Sequence, residues 1–141
     1  MTVMTGYVID TYAWVEYFLG SDMGAKAKQY IQEGRATTPS IVLTELRRWF
    51  LREIDAGRRT EREMKKCFEF IESTSRVTSL TSEIAIQAGE LDFLMKKRIR
   101  GWPLADSVIY ATARLTSSSV VSGDPHFEHL EDAIFLKSPE H

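Results

Sequence analysis

The sequence is poor in the features that mark several classes of protein. It holds one cysteine, Cys67, among 141 residues, so no disulfide can form within the chain, and that count is typical of a reducing intracellular compartment. No stretch approaches the roughly 20 consecutive apolar residues of a membrane-spanning helix. The N-terminus also lacks the basic flank and apolar segment of a signal peptide. These absences predict a cytoplasmic protein.

An excess of positive charge is absent as well. The formal net charge is −2 at pH 7 and the sequence pI is about 5.9, so the chain lacks the overall basic surface of a nonspecific nucleic-acid binder. Any contact with nucleic acid must therefore be local. With 43% hydrophobic and 27% charged residues, the composition is that of an ordinary globular protein. The length fits one domain over residues 1–141.

Short apolar runs alternate with longer amphipathic segments along the chain. The predicted strands cover residues 6–10, 35–38, 77–80, 119–122 and 133–136. The predicted helices cover residues 11–19, 22–33, 40–56, 61–73, 82–98 and 104–115. Strands separated by helices favour right-handed crossovers, so we expect an α/β fold with a mostly parallel sheet and helices on both faces. Residues 1–5 and 138–141 are predicted to be loose.

Four acidic residues stand at the ends of these elements. Two of them follow the carboxyl end of a buried strand, and two lie near the start of a helix among apolar neighbours. This acidic quartet consists of Asp10, Glu45, Asp106 and Asp124. Taken singly, these acids have ordinary roles such as a helix cap, a helix-dipole residue and a turn residue. Taken together, they are expected in one cleft, because sites in parallel α/β sheets form at the carboxyl ends of the strands.

Carboxylates gathered in one cleft need a compensating cation. Like charges about 4 Å apart repel by roughly 4 kcal/mol at an effective dielectric constant near 20. Hard oxygen ligands suit Mg²⁺ or Mn²⁺, and such ions can activate a water for in-line attack on a phosphodiester. We therefore predict a metal-dependent hydrolase of phosphodiester bonds, with the acidic quartet supplying both the catalytic residues and the metal ligands.

Arginine and histidine residues close to the quartet in the sequence are weaker candidates for binding phosphate or metal. Arg48 and Arg52 follow Glu45 at helical spacing and are candidates for gripping substrate phosphates, although a solvated helix face with ion pairs explains them equally well. The spacing of His126 and His129 would allow metal binding on a helical turn. No cysteine or third histidine lies nearby to complete a zinc site, so we assign them no metal role.

The acidic quartet lies within four short motifs. They are Val8-Ile9-Asp10-Thr11-Tyr12-Ala13-Trp14, Leu43-Thr44-Glu45-Leu46, Leu104-Ala105-Asp106-Ser107 and Val121-Ser122-Gly123-Asp124-Pro125-His126-Phe127. In this order and spacing the chain resembles the PIN-domain ribonucleases, and among them the VapC-like toxins of bacterial and archaeal toxin–antitoxin pairs. The resemblance spans Tyr7 to Leu136.

The resemblance implies a three-layer α/β/α sandwich and an endoribonuclease that uses Mg²⁺ or Mn²⁺ and leaves a 3′-hydroxyl and a 5′-phosphate. The acidic quartet matches the family's four acids. Thr11 and Ser122 match its supporting polar positions, whereas Tyr12 stands where a small polar residue is usual and receives no role. The expected partners are an RNA substrate, a second copy in a homodimer and a small antitoxin.

An antitoxin of this kind needs a surface near the cleft. The aromatic residues that would supply an apolar groove are Trp14, Tyr17, Phe18, Trp49 and Phe50. Helical spacing alone favours the other interpretation, in which most of them belong to the core.

Three other functions compete with the toxin interpretation. A PIN-like nuclease of RNA processing would carry the same acids without an antitoxin. A phosphatase of the aspartate-nucleophile type needs a second Asp two residues after the first, where Tyr12 stands. A receiver-like signalling domain or an inactive binding module would use the acids structurally.

Overall fold

The computed structural model describes residues 5–137, and this range folds as alternating strands and helices. The strands are β1 (Gly6–Ile9), β2 (Ala36–Pro39), β3 (Arg76–Thr78), β4 (Ser118–Ser122) and β5 (Ala133–Phe135). The helices are α1 (Thr11–Leu19), α2 (Asp22–Gln32), α3 (Ser40–Asp55), α4 (Glu61–Thr74), α5 (Ser82–Arg98) and α6 (Leu104–Leu115). The predicted strands and helices are confirmed, with ends displaced by one or two residues.

The five strands form one parallel sheet in the order β3-β2-β1-β4-β5. Helices flank the sheet, which confirms the predicted α/β/α architecture. The central strand β1 pairs with β2 on one side and β4 on the other, so Val8 stands opposite both Thr37 and Val120. Because all strands run the same way, their carboxyl ends share one edge of the sheet.

The ends of the chain were predicted to be loose. Residues 1–4 and 138–141 lie outside the described range. Thr5 does not fit the prediction, because its amide donates a hydrogen bond of 2.8 Å to the carbonyl of Ser117. Within residues 5–137, no helix has the length and apolar character needed to cross a membrane.

The large aromatic side chains divide between the core and a partly covered face. Trp14 and Phe50 are fully buried, and the indole of Trp14 donates a hydrogen bond of 3.1 Å to Thr38 Oγ1. These two are core residues, as the spacing argument favoured, and cannot line a groove. Tyr17, Phe18 and Trp49 remain half-buried; these are three of the five residues considered for an apolar groove.

Helices α1 and α2 approach closely at Gly24. A Cβ at this position would overlap the backbone carbonyl of Glu16 and stand 2.8 Å from the Cα of Tyr17. Gly20 ends α1 in the left-handed region, and Ser21 caps α2 by accepting a hydrogen bond of 3.1 Å from the Gly24 amide. This tight turn packs α2 against α1.

Candidate active site

A cavity of about 340 Å³ contains all four acids of the quartet in its wall. These acids come from positions that span most of the chain. The residues that line the cavity are Asp10, Thr11, Tyr12, Val15, Glu16, Glu45, Trp49, Asp106, Ile109 and Asp124. The four acids that were expected in one cleft therefore do lie together. Among the lining residues no side chain is a lysine or an arginine.

Asp10 leaves the end of β1 and caps the helix that follows. Its Oδ1 accepts a hydrogen bond of 2.8 Å from the Ala13 amide, so the simple capping role is real and coexists with a place in the cavity. The side chain is buried, and this burial raises the pKa of Asp10 to about 8. Hydrogen bonds from Ser122 and Ala13 oppose the rise, while the charges of Asp106 and Asp124 add to it.

Asp106 lies in the first turn of α6 and is also buried, with 7% of its surface exposed. Burial is the largest cause that raises its pKa to about 8, followed by the negative charges of Asp124 and Glu45. Its Oδ2 lies 3.0 Å from Nδ1 of His126. Two carboxyl groups with raised pKa values in one cavity are typical of a functional site.

Asp124 follows β4 and starts a 3-10 turn over Pro125–Phe127. Its Oδ1 accepts a hydrogen bond of 2.9 Å from the His126 amide, which is the turn role considered from the sequence. The Ser122 hydroxyl accepts a hydrogen bond of 2.9 Å from the Asp124 amide. Ser122 thus supports both strand-end acids, Asp10 and Asp124.

Glu45 reaches the cavity from α3 and is held by the start of α1. Thr11 Oγ1 donates a hydrogen bond of 2.6 Å to Glu45 Oε1. This contact joins two elements 34 residues apart in the chain. Thr11 and Ser122 therefore both contact acids of the quartet, at the positions where supporting hydroxyls were expected.

His126 was assigned no metal role from the sequence, but its ring lies against two acids of the quartet. Its ring, together with Asp106 and Asp124, offers three ligand atoms that all lie within 4.8 Å of one another, an arrangement compatible with a metal ion. His129, with which it was paired in the sequence argument, is exposed and lies outside this group. The available signal was the position of His126 two residues after a strand-end Asp, where a turn brings the ring back towards the acids.

Tyr12 lies in the wall of the cavity, whereas the two basic candidates lie outside it. Arg48 and Arg52 are exposed on α3, and neither lines the cavity. Tyr12, which was assigned no role, does line it. Its ring packs so closely on Gly123 that a Cβ there would stand 2.9 Å from Tyr12 Cε1. Partial burial, followed by the charges of Glu16, Asp124 and Asp10, raises the pKa of Tyr12.

Solved structures with similar folds include toxins and toxin–antitoxin complexes. A toxin–antitoxin complex from Klebsiella pneumoniae aligns at a TM-score of 0.72 and 16% identity, covering 95% of this chain and 100% of that chain. VapBC2 from Rickettsia felis, bound to a promoter DNA fragment, aligns at 0.66 and 15%, covering 92% and 96%. Mycobacterium tuberculosis VapC20, a toxin that cleaves the sarcin-ricin loop, aligns at 0.68 and 20%, covering 90% and 96%. At these identities the likeness shows the fold alone.

The family of the chain is shown by its sequence, whereas these structural alignments show only its fold. No match is found among curated protein sequences. The family model of the PIN domain matches residues 7–133, which is nearly the whole of the described range and includes the entire acidic quartet. The chain therefore belongs to the PIN domain family.

Proposed function

We propose that this protein is a divalent-metal-dependent endoribonuclease in which the acidic quartet forms the catalytic and metal-binding site. One observation carries the proposal: four acids from distant parts of the chain line one cavity that has no lysine or arginine in its wall. Such a cluster is costly without a cation, since burial and like charge both disfavour ionised carboxylates. The PIN match over residues 7–133 supports treating residues 1–141 as one nuclease domain.

The donor set fits Mg²⁺ or Mn²⁺. Both ions prefer carboxylate oxygens, and the buried Asp10 and Asp106 supply them within a preformed wall. When bound, such an ion supplies Lewis-acid chemistry that lowers the pKa of a coordinated water and offsets charge on the leaving oxygen. Thr11 orients Glu45 by its short hydrogen bond, and Ser122 orients the two strand-end acids, so the carboxylates are fixed before substrate arrives.

RNA is the proposed substrate, and a toxin–antitoxin pair is the proposed setting. The family match supports a nuclease, and one similar structure is that of a toxin that cleaves the sarcin-ricin loop. Others are toxin–antitoxin complexes, which supports a small antitoxin as the partner of this chain. We further propose a homodimer that acts in the cytoplasm.

Cleavage of an end-labelled single-stranded RNA tests this proposal. The purified protein should cut the RNA with Mg²⁺ or Mn²⁺ and stop in EDTA. Asp10→Asn and Asp106→Asn should each lower the rate about a thousandfold, which corresponds to roughly 4 kcal/mol of transition-state stabilisation. Asp55→Asn makes the same chemical change at an exposed position at the end of α3 and should leave the rate unchanged. Normal cleavage in EDTA, or by either folded cavity variant, would exclude the proposed site.

A further inference from the structure

We propose that His126 supplies a nitrogen ligand to the metal ion, so that the site prefers Mn²⁺ and related transition-metal ions over Mg²⁺. This inference rests on the proposed metal-dependent function and deepens it by naming the class of ion. It differs from a site built of carboxylates alone, because His126 joins Asp106 and Asp124 of the quartet among the ligands.

The spacing of the three ligand atoms fits a common ion. His126 Nδ1 lies 3.0 Å from Asp106 Oδ2 and 3.3 Å from Asp124 Oδ1. Two ligand atoms at right angles, each about 2.1 Å from an ion, stand about 3.0 Å apart. The imidazole nitrogen therefore already occupies the position of a neighbouring ligand to each of the two carboxylates.

The orientation of the ring is set by packing and by the backbone. The His126 amide is held by Asp124 Oδ1, and the next residue, Phe127, is fully buried and anchors the 3-10 turn. The ring packs against the buried indole of Trp102, with ring centroids 6.0 Å apart. The indole in turn donates a hydrogen bond of 2.7 Å to Ser107, the residue after Asp106. The same buried contacts therefore position both the imidazole and the neighbouring carboxylate.

Ligand chemistry then determines the preference among ions. Mg²⁺ favours oxygen ligands and keeps several of its waters, whereas first-row transition-metal ions accept imidazole nitrogen readily. A nitrogen in the set should favour the transition-metal ion in the competition. The rival arrangement leaves His126 outside the ligand sphere as a hydrogen-bond donor to Asp106, and this would orient the carboxylate without changing the preference.

Electron spin-echo spectroscopy of bound Mn²⁺ separates these arrangements, because a directly bound nitrogen modulates the echo. The wild-type protein with Mn²⁺ should show nitrogen modulation that changes when its histidines carry ¹⁵N. His126→Asn, which offers an oxygen instead, should lose that modulation. His129→Asn is the matched control, since His129 is exposed and outside the ligand group, and it should keep the modulation. Wild-type protein with bound Mn²⁺ and no histidine modulation would overturn the inference even if both variants failed to fold.

Calorimetric titration with Mn²⁺ and with Mg²⁺ gives a second readout. His126→Asn should weaken Mn²⁺ binding by about tenfold and change Mg²⁺ binding much less. An equal loss for both ions would assign His126 the outer role and overturn the inference. Different results would contradict the proposed nuclease function and the histidine ligand. Histidine-ligated Mn²⁺ without RNA cleavage would remove the proposed nuclease function alone, whereas metal-dependent cleavage without nitrogen modulation would remove this inference alone.

Discussion

Asp106→Asn is expected to stabilise the metal-free protein at neutral and alkaline pH. The Asp106 carboxyl is buried, and burial together with the charges of Asp124 and Glu45 raises its pKa to about 8. Above that pH the folded state must hold an ionised carboxylate where water is largely excluded. Asparagine keeps nearly the same shape and removes the charge, so the substitution relieves a cost that the wild-type protein carries.

The size of the effect follows from the pKa. The difference between a folded value of about 8 and the ordinary value of 3.8 corresponds to on the order of 6 kcal/mol for a carboxyl that is fully ionised in the folded state. A hydrogen bond from the His126 ring to Oδ2 would offset part of this cost, and so would local relaxation. We therefore expect a net gain of about 1 to 3 kcal/mol, which corresponds to roughly 3 to 10 °C in melting temperature.

The pH dependence has a definite sign. Because the folded pKa of Asp106 lies above the unfolded one, the folded state binds an extra proton between about pH 4 and pH 8. The stability that this proton gives is complete below pH 4 and is lost as the pH rises to about 8. The advantage of Asp106→Asn should grow over the same interval and disappear near pH 4.

Melting curves of the wild type, Asp106→Asn and the exposed control Asp55→Asn measure the effect in EDTA across this pH range. Repeating them in millimolar Mg²⁺ should raise the melting temperature of the wild type more than that of Asp106→Asn, since an ion that binds only the folded state stabilises it by an amount that grows with the logarithm of its concentration over the dissociation constant. If Asp106→Asn melts lower than the wild type in EDTA at pH 8 and keeps the full Mg²⁺ increment, Asp106 is a structural residue of the helix start. The argument for a shared acidic cleft would then fail at that position.

Three further predictions concern the reaction, the support of Glu45 and the packing of α1 on α2. A substrate with a 2′-deoxy nucleotide at the cut site should still be cleaved if it binds, because the proposed nucleophile is a water. Products of the all-ribose RNA that end in 2′,3′-cyclic phosphate would contradict this. Thr11→Val removes the hydrogen bond to Glu45 and should lower kcat by about tenfold, whereas Thr11→Ser should retain the wild-type rate; equal rates for both variants would show that the contact is dispensable. Gly24→Ala should destabilise the fold by about 1 to 3 kcal/mol in a denaturant titration. Gly89→Ala in α5, where an added Cβ meets nothing within 4 Å, should stabilise it by about 0.5 to 1 kcal/mol, and a loss at both positions would indicate that close packing is not the cause.

Local patterns were sufficient to predict the elements and the acids that follow them. The predicted helix over residues 61–73, for example, begins where local chemistry dictates, since the Thr60 hydroxyl accepts a hydrogen bond of 3.1 Å from the Glu63 amide. The edge strand β3 was predicted over residues 77–80 but lies at Arg76–Thr78, because its register is set by pairing with β2. That pairing is a tertiary contact with no local signature.

Contacts between residues of the site could not be predicted from the sequence for the same reason. Helical spacing correctly put Arg48 near Glu45 along α3, but it is Trp49, one turn after Glu45, that lines the cavity. The contact of His126 with Asp106 spans 20 residues and depends on a 3-10 turn held by Asp124. Its neighbours become apparent only when the loop is folded.

The pairing of β1 with β4 has a consequence for synthesis of the protein. Gly6 stands opposite Ser118, so the central strand emerges from the ribosome more than a hundred residues before the neighbour that completes its side of the sheet. Asp10 is likewise translated more than a hundred residues before Asp124. Contacts this distant in sequence form late in folding. A nascent chain would therefore lack the assembled cavity until Asp124 has been translated, and a product truncated before Asp124 would lack one wall of the proposed nuclease site.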